Sequence, residues 1–140
     1  MKQIPVIFWT GTGNTQMMAD AVAEAINAAG AEAVVKNVSE ITADEAAGYD
    51  ALALGCPAMG AEVLEECEFE PFFTELEGKL AGKKVALFGS YGWGGTYMQD
   101  WEARVKDAGA TLVADGVLAL GAPDDEAVAK LEEAGKLLAE

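Results

Sequence analysis

Short apolar runs of strand length alternate along this chain with longer stretches whose apolar residues recur at helical spacing, the pattern of βαβ units around a parallel sheet. The runs cover residues 6–10, 33–38, 51–55, 84–90 and 111–120. Pro5 lacks a backbone donor, so the first strand is expected to begin there rather than at Lys2. Between and after the runs lie four helical patterns. Residues 14–29 stack Met18, Val22 and Ile26 on one face and turn Asp20, Glu24 and Asn27 outward, with Gly30 placed to stop the helix. Residues 69–80 form a shorter pattern, Met98, Trp101 and Val105 line a third, and residues 124–138 bring Val128, Leu131 and Leu138 to one side. A helical turn at 42–47 completes the alternation. Five parallel strands with right-handed crossovers and helices on both faces predict a doubly wound three-layer α/β sandwich.

A chain of 140 residues suits one domain with one core, here spanning residues 1–140. No apolar stretch approaches the roughly 20 residues of a membrane helix. The apolar stretch at 4–9 is too short for a secretory signal and has no cleavage site, so a cytoplasmic protein without membrane attachment is expected. The chain has no histidine, which removes His-ligated zinc or haem iron, Ser-His-Asp triads and Cys-His nucleophiles. Cys56 and Cys67 form no CxxC pair and are expected to be buried small hydrophobes; no metal site is predicted. With 24 acidic and 9 basic residues, the net charge of −15 repels nucleic acid and favours encounter with basic partner surfaces, although the same carboxylates also serve solubility.

In a doubly wound sheet, ligands sit beyond the carboxyl ends of the strands at the switch point, so function rests on the loops after strands one, three and four. The first reads Thr10-Gly11-Thr12-Gly13-Asn14-Thr15 between a strand and a helix. Its small residues let backbone amides approach an anion, the helix start adds partial positive charge, and threonine hydroxyls can donate. It is neither a P-loop, which ends in Gly-Lys-Ser/Thr, nor the dinucleotide fingerprint, because Gln16 stands where the third glycine belongs. Without Lys or Arg it suits a terminal monophosphate better than a magnesium-loaded triphosphate. The other loops are Cys56-Pro57-Ala58-Met59-Gly60-Ala61-Glu62 and Gly89-Ser90-Tyr91-Gly92-Trp93-Gly94-Gly95. Taken alone, Met59 fills a core gap and Trp93 caps the sheet edge. On one edge with a phosphate loop, the two can clamp a flat ring, and Glu62 supplies an acceptor for an aromatic mononucleotide.

Three stretches, TGTGNT (10–15), GCPAMGAEVLEECEFEPFF (55–73) and GKKVALFGSYGWG (82–94), resemble the short-chain flavodoxins of the clostridial type, and the likeness runs nearly end to end. The resemblance implies a sheet of order 2-1-3-4-5 with FMN at the β1/β3 switch point, the example from which that rule is usually stated. It implies low-potential electron transfer through a neutral semiquinone, with no substrate turnover; the acidic charge points to basic-surfaced redox proteins as partners, and a monomer is expected. By the same resemblance Thr10, Thr12, Asn14 and Thr15, with the Gly11 and Gly13 amides, hold the phosphate. Residues Ala58, Met59, Gly60, Ala61 and Glu62 and residues Ser90, Tyr91, Gly92, Trp93 and Gly94 surround the ring. Met59 covers its inner face and Trp93 its outer face, Glu62 accepts from N3–H, and Gly60 presents its peptide to N5. Trp9 matches an aromatic whose role is packing. Pro57 replaces a serine of some relatives, Ala61 an acidic or polar residue, and the stretch 94–97 is one residue shorter than its usual counterpart.

A response-regulator receiver domain shares the fold but needs acidic residues where this chain has Trp9-Thr10 and Gly55-Cys56. An FMN-dependent NAD(P)H reductase is the stronger alternative. Such sites usually need further loops or a second subunit to place nicotinamide over the ring, and a Trp93 on the outer face would obstruct it.

Overall fold

The computed structural model describes residues 2–11, 13–57, 64–91 and 97–140. In chain order the elements are β1 (Gln3–Phe8), α1 (Asn14–Ala28), β2 (Glu32–Asn37), a 3-10 turn (Val38–Glu40), α2 (Ala43–Ala46), β3 (Ala51–Gly55), α3 (Phe69–Glu77), β4 (Lys84–Tyr91), α4 (Tyr97–Asp107), β5 (Thr111–Leu112), β6 (Val117–Leu120) and α5 (Asp125–Ala139). All strand pairings are parallel, in the order β2-β1-β3-β4-β5, with β6 also on β4.

The continuous apolar runs of β1, β3 and β4 follow from burial on both faces of the sheet. Because side chains alternate, Ile4, Val6, Phe8, Ala51, Ala53, Ala86 and Phe88 face one core with Met18, Val22 and Ile26 of α1 and Leu131 and Leu138 of α5. Ile7, Leu52, Leu54, Val85 and Leu87 face the other, with Phe69, Phe73 and Leu76 of α3 and Met98, Trp101 and Val105 of α4. The predicted inward faces of α1 and α4 are therefore the buried ones. Trp101 meets the rings of Phe69 and Phe73 edge-on, at centroid distances of 5.5 and 5.9 Å. Across this layer Arg104 of α4 takes Glu70 of α3 in a two-pronged pair at 2.8 and 2.9 Å, reaches Glu77 at 3.1 Å, and lies 4.7 Å above the Phe73 ring. Gly30, at φ +95°, ends α1 as expected: the N–H of Ala31 bonds Ile26 O at 3.2 Å and that of Gly30 bonds Asn27 O at 3.2 Å.

Three elements and the exposure of one cysteine depart from what the sequence predicts. β1 starts at Gln3, ahead of Pro5, because neighbouring residues bond to opposite strands. Lys2 O accepts from Glu32 of β2 at 2.7 Å and Trp9 N–H donates to Gly55 of β3 at 3.0 Å, so even positions serve β2 and odd ones β3. The donor missing at Pro5 thus points to the β3 side, where pairing begins only at Val6. The run at 111–120 is not one strand. Val85 opposes Leu112 and Phe88 opposes Val117, so residues 113–116 span the gap that 86 and 87 span on β4. Gly116 explains the break, since its N–H donates to Glu102 Oε2 at 2.7 Å and a Cβ there would collide with Met98. The helix predicted over 69–80 ends at Glu77, before Gly78, although Leu80 stays buried. Cys67 is exposed, contrary to the expectation for both cysteines; Cys56 is buried.

Candidate functional site

β1, β3 and β4 lie side by side and end on the same edge, so the segments that follow them begin there. Trp9 N–H donates to Gly55 O at 3.0 Å and Cys56 N–H to Phe88 O at 3.1 Å, so the ladder runs up to the first residue of each loop.

In the first loop Thr10 Oγ1 accepts from Gly13 N–H at 2.9 Å, folding the turn back on itself, and Gly13 takes φ +94°. Thr15, in the first turn of α1, is buried, with Oγ1 3.3 Å from Ser90 Oγ at the end of β4. Trp9 packs beside the turn and its Nε1–H donates to Glu68 Oε1 at 3.2 Å, in keeping with a packing role. Thr10, Gly11, Gly13, Asn14, Thr15 and Ser90 are thus gathered at one place. Thr12 lies outside the described residues.

The start of α1 has no side-chain cap and no acidic residue in its first turn, in a chain with 24 acids. Other starts are filled: Asn37 caps the 3-10 turn, Thr42 caps α2, Asp124 caps α5, and Glu65 serves α3. The open backbone N–H groups of α1, with the Thr and Asn side chains around them, form a neutral donor set of the kind a phosphate monoester requires.

Of the second loop, Ala58, Met59, Gly60, Ala61 and Glu62 lie outside the described residues, but both ends are described. Cys56 Sγ accepts from Glu65 N–H at 3.3 Å. The Glu65 carboxylate, 5% exposed, accepts from the N–H groups of Cys67, Glu68 and Phe69 at 2.8, 2.7 and 2.9 Å. Burial works to raise the pKa of Glu65, and these backbone donors outweigh it, holding the carboxyl below its ordinary value. Burial pushes the Cys56 thiol up to about 12, with the Glu65 N–H acting against it and the nearby carboxylates adding to it, so this sulfur is a packing atom and not a nucleophile. Glu65 was missed in the sequence because it sits four residues before α3, outside the usual capping position.

Of the third loop, Ser90 and Tyr91 close β4, while Gly92, Trp93 and Gly94 lie outside the described residues. Tyr91 O accepts from Gly121 N–H at 3.0 Å. The hydroxyl of Tyr97 donates to Cys56 O at 2.7 Å, directly above Gly89.

A family model described as Flavodoxin matches residues 6–135. The chain belongs to the flavodoxin family. It is 47% identical to a flavodoxin of Clostridium beijerinckii over 135 residues, 96% of this chain and 97% of the relative. It is also 47% identical to a flavodoxin of Megasphaera elsdenii over 116 residues, 82% and 85% of the two chains. The solution structure of two-electron reduced Megasphaera elsdenii flavodoxin superposes with a TM-score of 0.89, at 43% identity, covering 97% of this chain and 98% of that one. Flavodoxins bind FMN non-covalently and carry electrons without turning over a substrate, and this chain is a carrier of that kind. The donor set at the start of α1 fits the phosphate of that cofactor.

Proposed function

We propose that residues 1–140 act as one unit that carries FMN at the edge formed by β1, β3 and β4 and exchanges single electrons with basic-surfaced redox proteins. The observation that carries this reading is the uncapped start of α1 beside Thr10, Asn14 and Thr15, on the edge where β3 ends at Gly55 and β4 at Tyr91. When bound, FMN supplies a ring that takes up and gives back electrons one at a time.

The chain's own residues bind and orient that group. The turn at 10–15 offers neutral donors and no cation, so a bound phosphate keeps its charge and is held by hydrogen bonds. By the family resemblance, Met59 and Trp93 would cover the ring and exclude water, Glu62 would accept a hydrogen bond from it, and Gly60 would present its peptide to it. Ala58, Ala61, Tyr91, Gly92 and Gly94 would serve the ring by the same resemblance. Among the described residues no helix is long and apolar enough to cross a membrane. A cytoplasmic monomer that avoids nucleic acid accords with the charge of −15.

The test is a visible spectrum of the purified protein followed by dithionite titration. Flavin bands that bleach in two one-electron stages are expected, and NADPH alone, without an added reductase, should leave the bands unchanged. A colourless protein that cannot be reconstituted with FMN would overturn the reading.

A further inference from the structure

Cys56 is the last residue before the segment 57–63, and Tyr97 is the first after the segment 92–96. The two are 41 positions apart, yet the Tyr97 hydroxyl donates to the Cys56 carbonyl at 2.7 Å in a buried hydrogen bond. The bond exists because position 89 is glycine: a Cβ there would collide with both the Cys56 carbonyl and the Tyr97 hydroxyl. Neither partner is free to drift. Cys56 is fully buried and held by its N–H on Phe88 O at 3.1 Å and by its Sγ, which takes the Glu65 N–H at 3.3 Å. Tyr97 is 2% exposed and its ring stacks on Trp101 at a centroid distance of 6.5 Å.

We infer that Tyr97 is a positioning residue whose hydroxyl, seated over Gly89, ties Cys56, the residue that leads into 57–63, to the start of α4, the residue that follows 92–96, and so orders FMN binding from behind. This rests on the reading of those segments as the ring walls. The Glu65 N–H on Cys56 Sγ closes the far end of the first segment onto the same residue, so a disturbance at Cys56 reaches both ends of that wall at once. Breaking the bond takes a hydrogen bond from a buried carbonyl and uncouples Cys56 from the start of α4.

The experiment uses the FMN-loaded protein and compares wild type with Tyr97→Phe, which keeps the ring and removes only the hydroxyl. Amide hydrogen exchange should accelerate severalfold in both 57–63 and 92–96 and remain unchanged in β2. The FMN dissociation constant should rise roughly 3- to 10-fold, the change expected for one lost buried hydrogen bond, and the flavin circular dichroism should alter. Gly89→Ala, which pushes the same two atoms apart from a third residue, should reproduce the pattern if it folds. Acceleration confined to 92–96 and α4, or spread evenly through the sheet with an unchanged dissociation constant, would overturn the inference. The underlying reading is tested separately by Trp93→Ala: unchanged FMN affinity and flavin fluorescence there would remove 92–96 from the ring, whatever the exchange pattern of Tyr97→Phe.

Discussion

Thr15 Oγ1 lies 3.3 Å from Ser90 Oγ with both side chains buried, so the first turn of α1 is pinned to the end of β4 although β3 runs between β1 and β4. A hydroxyl placed there can serve Ser90 and a bound phosphate together. Ser90→Ala is expected to lower stability by about 1 kcal/mol. It should weaken FMN binding less than Thr15→Val, which removes a hydroxyl proposed to donate to the phosphate. Urea unfolding and titration of flavin fluorescence measure the two effects; equal weakening by both variants would put Ser90 on the phosphate as well.

Glu65 supplies a charge-dependent stabilisation. Its folded pKa is depressed, so the contribution is fully present above the ordinary carboxylate range and is lost as pH falls through the lower folded value. Glu65→Gln should cost about 1–2 kcal/mol at neutral pH, through weaker acceptance from the start of α3. It should also flatten the acid limb of the stability profile. Urea midpoints measured from neutral to acid pH test this, and an acid limb identical to that of wild type would assign the sensitivity to other carboxylates.

Arg104 joins α3 to α4 through Glu70 and Glu77, and these side chains are about one-third exposed, so solvent screening reduces what the ion pairs contribute. The hydrogen bond from Arg104 is the main reason the Glu70 carboxyl lies below its ordinary pKa, with burial opposing. Arg104→Met should cost about 1–2 kcal/mol, and Arg104→Lys should recover less than half of it, because an ammonium keeps the charge but not the planar fork. Thermal unfolding at low and high salt distinguishes the two contributions, since only the ionic part weakens with salt.

Trp93→Ala should weaken FMN binding by about 1–3 kcal/mol, by analogy with a base stacked on an aromatic ring, and restore flavin fluorescence. Titration of the apoprotein with FMN reads both. Retained affinity and quenching would move the stacking role to Tyr91.

The surface charge of −15 should disfavour the more negatively charged, fully reduced cofactor. Raising ionic strength is therefore expected to lift the second midpoint potential modestly, as screening takes effect. A spectroelectrochemical titration at several salt concentrations would show no such rise if local hydrogen bonds set that potential.

The alternation of strands and helices could be read from local periodicity, as the buried Met18, Val22 and Ile26 stripe and the positive φ of Gly30 at the end of α1 show, whereas the order of the strands was implied by the family resemblance. What could not be read depends on residues far apart in the chain. Pro5 is tolerated because of where its neighbours bond, which no single strand reveals. The interruption between β5 and β6 depends on Met98 and Glu102 of α4 meeting Gly116. For the site, the turn at 10–15 was legible as a small-residue connection between a strand and a helix. The Glu65 cap and the Tyr97 bond to Cys56 were not, since acidic and aromatic residues in loops carry no signal of which distant atom they meet.

The packing of α1 against α5 bears on how the chain is assembled. Gly135 of α5 sits so close to α1 that a Cβ would lie 2.8 Å from Val22 O and from the Ala25 side chain. The two helices share a core, yet α1 ends at Ala28 and α5 begins only at Asp125. During synthesis, the apolar stripe of α1 therefore waits for a partner made roughly a hundred residues later, some 5–20 seconds at common translation speeds. In that interval the side of α1 that meets Gly135 is open to chaperones and to self-association, and slowing translation before residue 125 should lengthen that vulnerable period.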